Sequence, residues 1–142
     1  MSPRRALAIV DHRRPELETC AYCPKLCRAA CPVSDAEASD TLTPWGQMSS
    51  VYAVARRARA PSRDYAALPW ACAGCFRCRE HCDHRNRVVE TLYDARAEYA
   101  ARGLEPEAAT RVRDGFEQRR ERLRRRLGEL QARHGFAASA QT

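Results

Sequence analysis

The sequence is poor in aromatic side chains, which make up 7% of its 142 residues. A core drawn largely from Ala, Leu and Val is thin, and small proteins with thin cores often add metals to hold themselves together. Long apolar runs are missing as well, and no stretch approaches the length of a membrane span. Arg4-Arg5 looks like the start of a twin-arginine export signal, but the apolar run behind it, Ala6 to Val10, is five residues long before Asp11. That is too short for a signal core, and no small-residue cleavage site follows. The expected compartment is the cytoplasm. The sequence also lacks a Gly-rich phosphate loop, a nucleophile elbow and a paired-carboxylate motif. No catalytic residue of its own is therefore expected. Alternating strand patterns are absent too, so the fold class is expected to be all-α. The balance of 30% charged and 44% apolar residues excludes wholesale disorder.

Residues 1–15 read as a basic lead-in. Thr43-Pro44 opens a helix, with Thr43 as its N-cap and Pro44 at the first helical position. On it Trp45, Met48, Val51, Tyr52 and Ala55 share one face, and Trp45 and Tyr52 are read as core, the other reading being that they line a route between metal sites or to a partner. Pro61 closes that segment, and a short helix precedes Pro69. Asp83 is placed to cap a further helix carrying Val88, Val89, Leu92, Tyr93, Arg96 and Tyr99. Gly103 stops that helix as its C′ residue. A last helix runs from near Pro106 to about His134, with Gly135 after it and a frayed tail from Ala137. Its apolar positions are Val112, Phe116, Leu123, Leu127 and Leu130.

What the chain has in excess is cysteine, eight in all. They form two runs, Cys20, Cys23, Cys27 and Cys31 followed by Pro32, and Cys72, Cys75, Cys78 and Cys82. The gaps of two, two and three residues in the second run are those of bacterial 4Fe–4S ferredoxins, and Cys31-Pro32 echoes their terminal Cys-Pro. A cubane cluster needs a thiolate at each of four iron corners. A tight loop wraps three cysteines around one face, and in two-cluster proteins the fourth comes from the other run. On that pattern Cys20, Cys23, Cys27 and Cys82 bind one cluster, and Cys72, Cys75, Cys78 and Cys31 bind the other. Each cluster then ties both halves of the chain together.

These motifs resemble the α-helical ferredoxin family. That family includes the cluster domains of succinate dehydrogenase and fumarate reductase iron–sulfur subunits, the small iron–sulfur subunit of heterodisulfide reductase and the glycolate oxidase iron–sulfur subunit. The similar stretch is about residues 16–102, leaving residues 103–142 as a basic helical extension and tail. The forty residues between Cys31 and Cys72 suit the helical family better than compact β-type ferredoxins. The resemblance implies a relay of single electrons through two 4Fe–4S clusters, as a subunit or partner of a larger oxidoreductase. It implies redox partners of two kinds, a flavoprotein dehydrogenase or a cysteine-rich reductase subunit. Two departures stand out. Three residues separate Cys23 from Cys27 where the family has two, so the type of the first cluster stays open, and Cys82 is followed by Asp83 in place of Pro. The Cys-Cys-Gly motif of the heterodisulfide reductase catalytic subunit is absent.

Other readings use the same residues. Two zinc sites of four thiolates each would need the same eight cysteines, although zinc fingers present separated pairs in place of compact runs. The alternative function is thus a zinc-stabilised binding module that uses its basic C-terminal helix. Four disulfides would require an oxidising compartment. Radical chemistry on S-adenosylmethionine calls for a three-residue gap before a two-residue gap, and Cys20, Cys23 and Cys27 run the other way. His81 and His84 flank Cys82, but eight thiolates already satisfy two clusters, so both are read as surface or neighbouring groups.

The formal net charge is +7. Residues 1–102 carry 16 Lys/Arg against 12 Asp/Glu, and two oxidised clusters with their thiolates contribute roughly −4. The cluster region is then about neutral, which weakens a nucleic-acid reading. The remaining surplus lies in the Arg-rich stretch 119–126, either a solvated helix face or a docking element for an acidic partner.

Overall fold

The computed structural model describes residues 7–135, a chain of helices with no strand among them. The helices are α1 (Ile9–His12), α2 (Arg14–Ala21), α3 (Pro32–Ala36), α4 (Pro44–Ala55), α5 (Arg63–Trp70), α6 (Arg77–His81), α7 (Val88–Ala100) and α8 (Glu107–His134). Short 3-10 turns at Arg28–Ala30 and Asp40–Leu42 complete the set. The fold is all-α, of the α-helical ferredoxin type. None of the described helices is long and apolar enough to cross a membrane. The chain divides into two units, the first ending at Pro106 and the second beginning at Glu107.

Helix α4 is the axis of the first unit, with α2, α5 and α7 packed on it. It starts where the capping chemistry requires. Thr43 Oγ1 accepts the Gly46 amide at 3.0 Å, and Pro44 sits in the first turn. Gly46 is needed for a close approach: a Cβ there would stand 2.5 Å from the carbonyl oxygens of Asp40 and Thr41. Met48, Val51, Val54 and Ala55 face inward against Leu17, Leu92, Ala95 and Tyr99, all buried. Each large apolar side chain that is fully buried contributes about 1.5–3 kcal/mol. Helix α7 ends as its sequence predicts. Gly103 has φ +66, and the Leu104 amide reaches back to the Tyr99 carbonyl at 3.0 Å.

Two features differ from the sequence reading. The stretch assigned to the lead-in carries Leu7 and Ile9 into the core, where both are fully buried. It is tied to α7 by the Ala8 amide on Glu98 Oε2 and by Arg13 Nε on Asp94 Oδ2, both at 2.7 Å. Such short apolar pieces lack helical periodicity because tertiary packing, not an amphipathic face, buries them. Asp83 does not cap α7, which begins five residues later behind Arg87. The intervening residues turn sharply at Arg85 (φ 46) and send Asn86 inward. The first six residues and the tail from Ala137 lie outside the described residues.

The second unit is α8, 28 residues with none buried. It starts just past Pro106 and stops at Gly135, φ +67.

Candidate metal centre

Both cysteine runs are carried on helix ends and the loops between them. Cys20 lies in the last turn of α2, Cys23 and Cys27 follow in a loop, and Cys31 precedes Pro32 at the start of α3. In the second run Cys72 and Cys75 lie between α5 and α6, Cys78 is inside α6, and Cys82 follows its last residue. Left-handed residues bend these loops: Lys25 (φ 64) in the first, Gly74 (φ 68) and Phe76 (φ 58) in the second. For residues other than glycine this conformation is costly and persists where surrounding structure enforces it.

The loops enclose two hollows. One is lined by Cys20, Cys23, Cys27 and Cys82, with Trp45, His84 and Asn86 among its other walls. The second is lined by Cys31, Cys72, Cys75 and Cys78, with Gln47, Val89 and Leu92. Cys78, Pro44 and Val88 line both and form the partition between them. Each hollow thus gathers three cysteines of one run and the outlying cysteine of the other, and Cys78 also reaches the first. All eight are free thiols. Among the described residues no three His, Cys, Asp or Glu side chains converge closely enough for a single metal ion.

The electrostatics agree with this grouping. Burial pushes the Cys20 thiol up to about 12, opposed by the Asn86 amide, and the neighbouring sulfurs that raise it further are Cys27, Cys82 and Cys23. Burial also pushes Cys78 up to about 12, and its sulfur neighbours are Cys72, Cys27 and Cys75. Cys27 and Cys72 are raised by burial as well, and Cys72 faces Cys31 and Cys75. Thiols this reluctant to ionise become ligands when metal charge replaces the proton. Both hollows also supply N–H donors to sulfur. Asn86 Nδ2 donates to Cys20 Sγ at 3.0 Å and to the Glu16 carbonyl at 2.8 Å. The Gly74 amide donates to Cys72 Sγ at 3.4 Å, and the backbone amides of Trp45 and Arg79 favour the thiolates of Cys27 and Cys78.

Several of these groups have no signature in the sequence. Asn86 lies 66 residues from Cys20 and meets it only through the fold. Arg96 shares the stripe of α7 with Val89, Leu92 and Tyr93, and its contacts give the reason. Its Nε donates to the Pro69 carbonyl at 2.9 Å, its Nη2 to the Cys72 carbonyl, and its guanidinium lies 4.6 Å from the Tyr93 ring centroid. It braces the start of the second loop. His81 Nε2 lies 3.2 Å from the Leu26 carbonyl, and the exposed His84 edges the first hollow.

An all-helical chain whose free thiols are gathered around two hollows has the form of an iron–sulfur protein. The comparison with known families gives the particular one. The family described as the 4Fe-4S dicluster domain matches residues 16–86. That is half of the chain, and the protein belongs to this family: it is a ferredoxin-type 4Fe–4S protein of electron transfer. No curated protein and no solved structure matches the chain.

Gly74 gives a test of the second loop. A Cβ at this position would collide with the Tyr93 hydroxyl, and φ +68 is unfavourable for any side chain. Gly74→Ala is expected to lower bound iron to about half of the wild-type content, since one of two hollows is affected. Iron analysis of the anaerobically purified variant checks this, and full occupancy would show that the loop tolerates the distortion.

Proposed function

We propose that this chain holds two 4Fe–4S clusters and relays single electrons between redox partners, from the unit that ends at Pro106 and includes Leu7 and Ile9 in its core. The observation that carries this reading is the pair of hollows, each lined by three cysteines from one run and one from the other. On this reading Cys20, Cys23, Cys27 and Cys82 hold the first cluster, and Cys72, Cys75, Cys78 and Cys31 hold the second. Each cluster supplies a one-electron redox centre. The chain's own residues set how it is used. The apolar partition of Pro44 and Val88 keeps water out from between the sites. Cys78, in both linings, supports short-range passage from one to the other. The formal +4 of residues 1–102 offsets the roughly −4 of two ligated clusters.

By family resemblance the partners are a flavoprotein dehydrogenase or a cysteine-rich reductase subunit, in the cytoplasm. Helix α8 supports a docking role by its own charge pattern. Val112, Phe116, Leu123, Leu127 and Leu130 are exposed along one narrow stripe. At 3.6 residues per turn, Arg119 and Arg126 flank the stripe on one side and Arg120 and Arg124 on the other. Glu107, Asp114 and Glu121 fall on the far face. Phe116, Leu123 and Leu127 with three of these arginines line a shallow surface groove. The matching surface is an apolar groove rimmed by carboxylates on the redox partner, because a second copy would set like-charged flanks against each other.

Two experiments test this reading. Cys31→Ser is expected to damage the cluster held by Cys72, Cys75 and Cys78, and Cys82→Ser the one held by Cys20, Cys23 and Cys27. The two variants should therefore lose different paramagnetic resonance signals on reduction. Loss of the same signal in both would contradict the crossed arrangement. For α8, a chain ending at Pro106 should keep its iron and visible spectrum yet bind its redox partner more weakly. The full chain's affinity should also fall as salt rises. Equal affinity of the two forms would remove α8 from docking.

A further inference from the structure

The two hollows are not equivalent in the polar groups they leave unpaired. The Trp45 indole nitrogen, in the wall of the Cys20 hollow, is buried and has no hydrogen-bond partner. A buried N–H donor left unpaired costs about 1–3 kcal/mol. Of the lining residues of this hollow, Trp45 alone carries such an orphaned side-chain atom. In the Cys72 hollow the corresponding orphan is an acceptor. Gln47 Nε2 donates to the Leu42 carbonyl at 2.7 Å, which assigns the amide orientation and leaves the buried Oε1 without a donor.

Trp45 is also held in place. Its backbone amide, in the first turn of α4, favours the Cys27 thiolate. The Lys25 ammonium lies 4.4 Å from its ring centroid and 3.7 Å from Asp40 Oδ2, so the loop carrying Cys23 and Cys27 clasps the ring. The indole is not a core side chain that happens to lie near the cysteines. It is a fixed wall of their hollow.

We propose that the Trp45 indole N–H donates a hydrogen bond to sulfur in the Cys20 hollow and makes the cluster there the better electron acceptor of the two. The inference rests on the reading that each hollow holds a 4Fe–4S cluster. An electron added to a cluster increases the negative charge on its sulfurs. N–H donors aimed at those sulfurs stabilise the reduced form and raise the potential. The Cys20 hollow has the Asn86 side chain, the Trp45 backbone amide and the spare indole donor. The Cys72 hollow has the longer Gly74 contact, the Arg79 backbone amide beside Cys78, the Arg96 charge near Cys72, and an orphaned oxygen in place of a spare donor. A single electron entering the protein therefore comes to rest on the Cys20 side.

The test uses the full chain, loaded anaerobically and reduced stepwise with dithionite under paramagnetic resonance detection. Trp45→Phe keeps an aromatic ring and removes the donor. The higher of the two midpoints should fall, with its reduction equilibrium constant lowered by about tenfold, or about 59 mV for a one-electron couple; a fall of the lower one instead would overturn the proposal. The other midpoint should stay in place. In wild-type protein carrying nitrogen-15 in its tryptophan indoles, the reduced cluster should show a hyperfine coupling to one indole nitrogen, absent in the variant. Two unchanged midpoints, equal shifts in both, or no coupling in the wild type would each overturn the proposal. If the variant fails to load, the labelled wild-type chain decides alone: a coupling sustains the proposal and its absence overturns it. A wild-type chain that takes up no iron fails the cluster reading itself, and the inference with it.

Discussion

Sulfurs far apart in sequence must meet at the same place, and the remaining structure serves that constraint. Cys82 joins Cys20, Cys23 and Cys27, while Cys31 joins Cys72, Cys75 and Cys78. To close both groups the chain has to run out from the first run and return to the second with its polarity matched. The stretch through α4 and α5 does this. It is why α4 lies at the centre, why Gly46 permits the Asp40 turn to press against it, and why Pro44 ends up between the hollows. The left-handed residues in the loops are costs carried by the same requirement.

The core shows the same dependence. Buried side chains from α1, α2, α4, α5 and α7 form one cluster that includes Cys20 and Cys78 and is bordered by Cys72. The apolar core and these cysteines are thus one continuous body, not a domain with its thiols on the surface. Burial drives the thiols of Cys20 and Cys78 toward their neutral form in the absence of metal. Ligation reverses that preference, so metal binding and folding free energy are linked.

Much of this was legible from residues alone where the signal is local. Thr43-Pro44 as a helix start, Gly103 as a helix stop and the extent of α8 all follow from capping chemistry, which depends on a few neighbouring atoms. The cysteine spacings are local too and pointed to the correct cofactor class. Long-range groups were not legible. Leu7 and Ile9 are buried because α7 is there to receive them. Asp83 has the chemistry of a cap, yet Asn86 must turn inward to reach Cys20 and Glu16, and that delays α7. Trp45 fits the periodicity of a core position. Periodicity could not choose between that and a lining role, and the fold places it at a cysteine hollow.

The central claim is that the metal centres hold the two halves of the cysteine-bearing region together. Amide hydrogen exchange on the loaded chain and on the chain stripped by chelation tests it most directly. The account predicts strong protection of α2, α4 and α7 when loaded, lost together on stripping, because each links to the next through cysteine-lined hollows. Equal protection of these helices in both forms would mean that the helical core stands without metal, and would contradict the account.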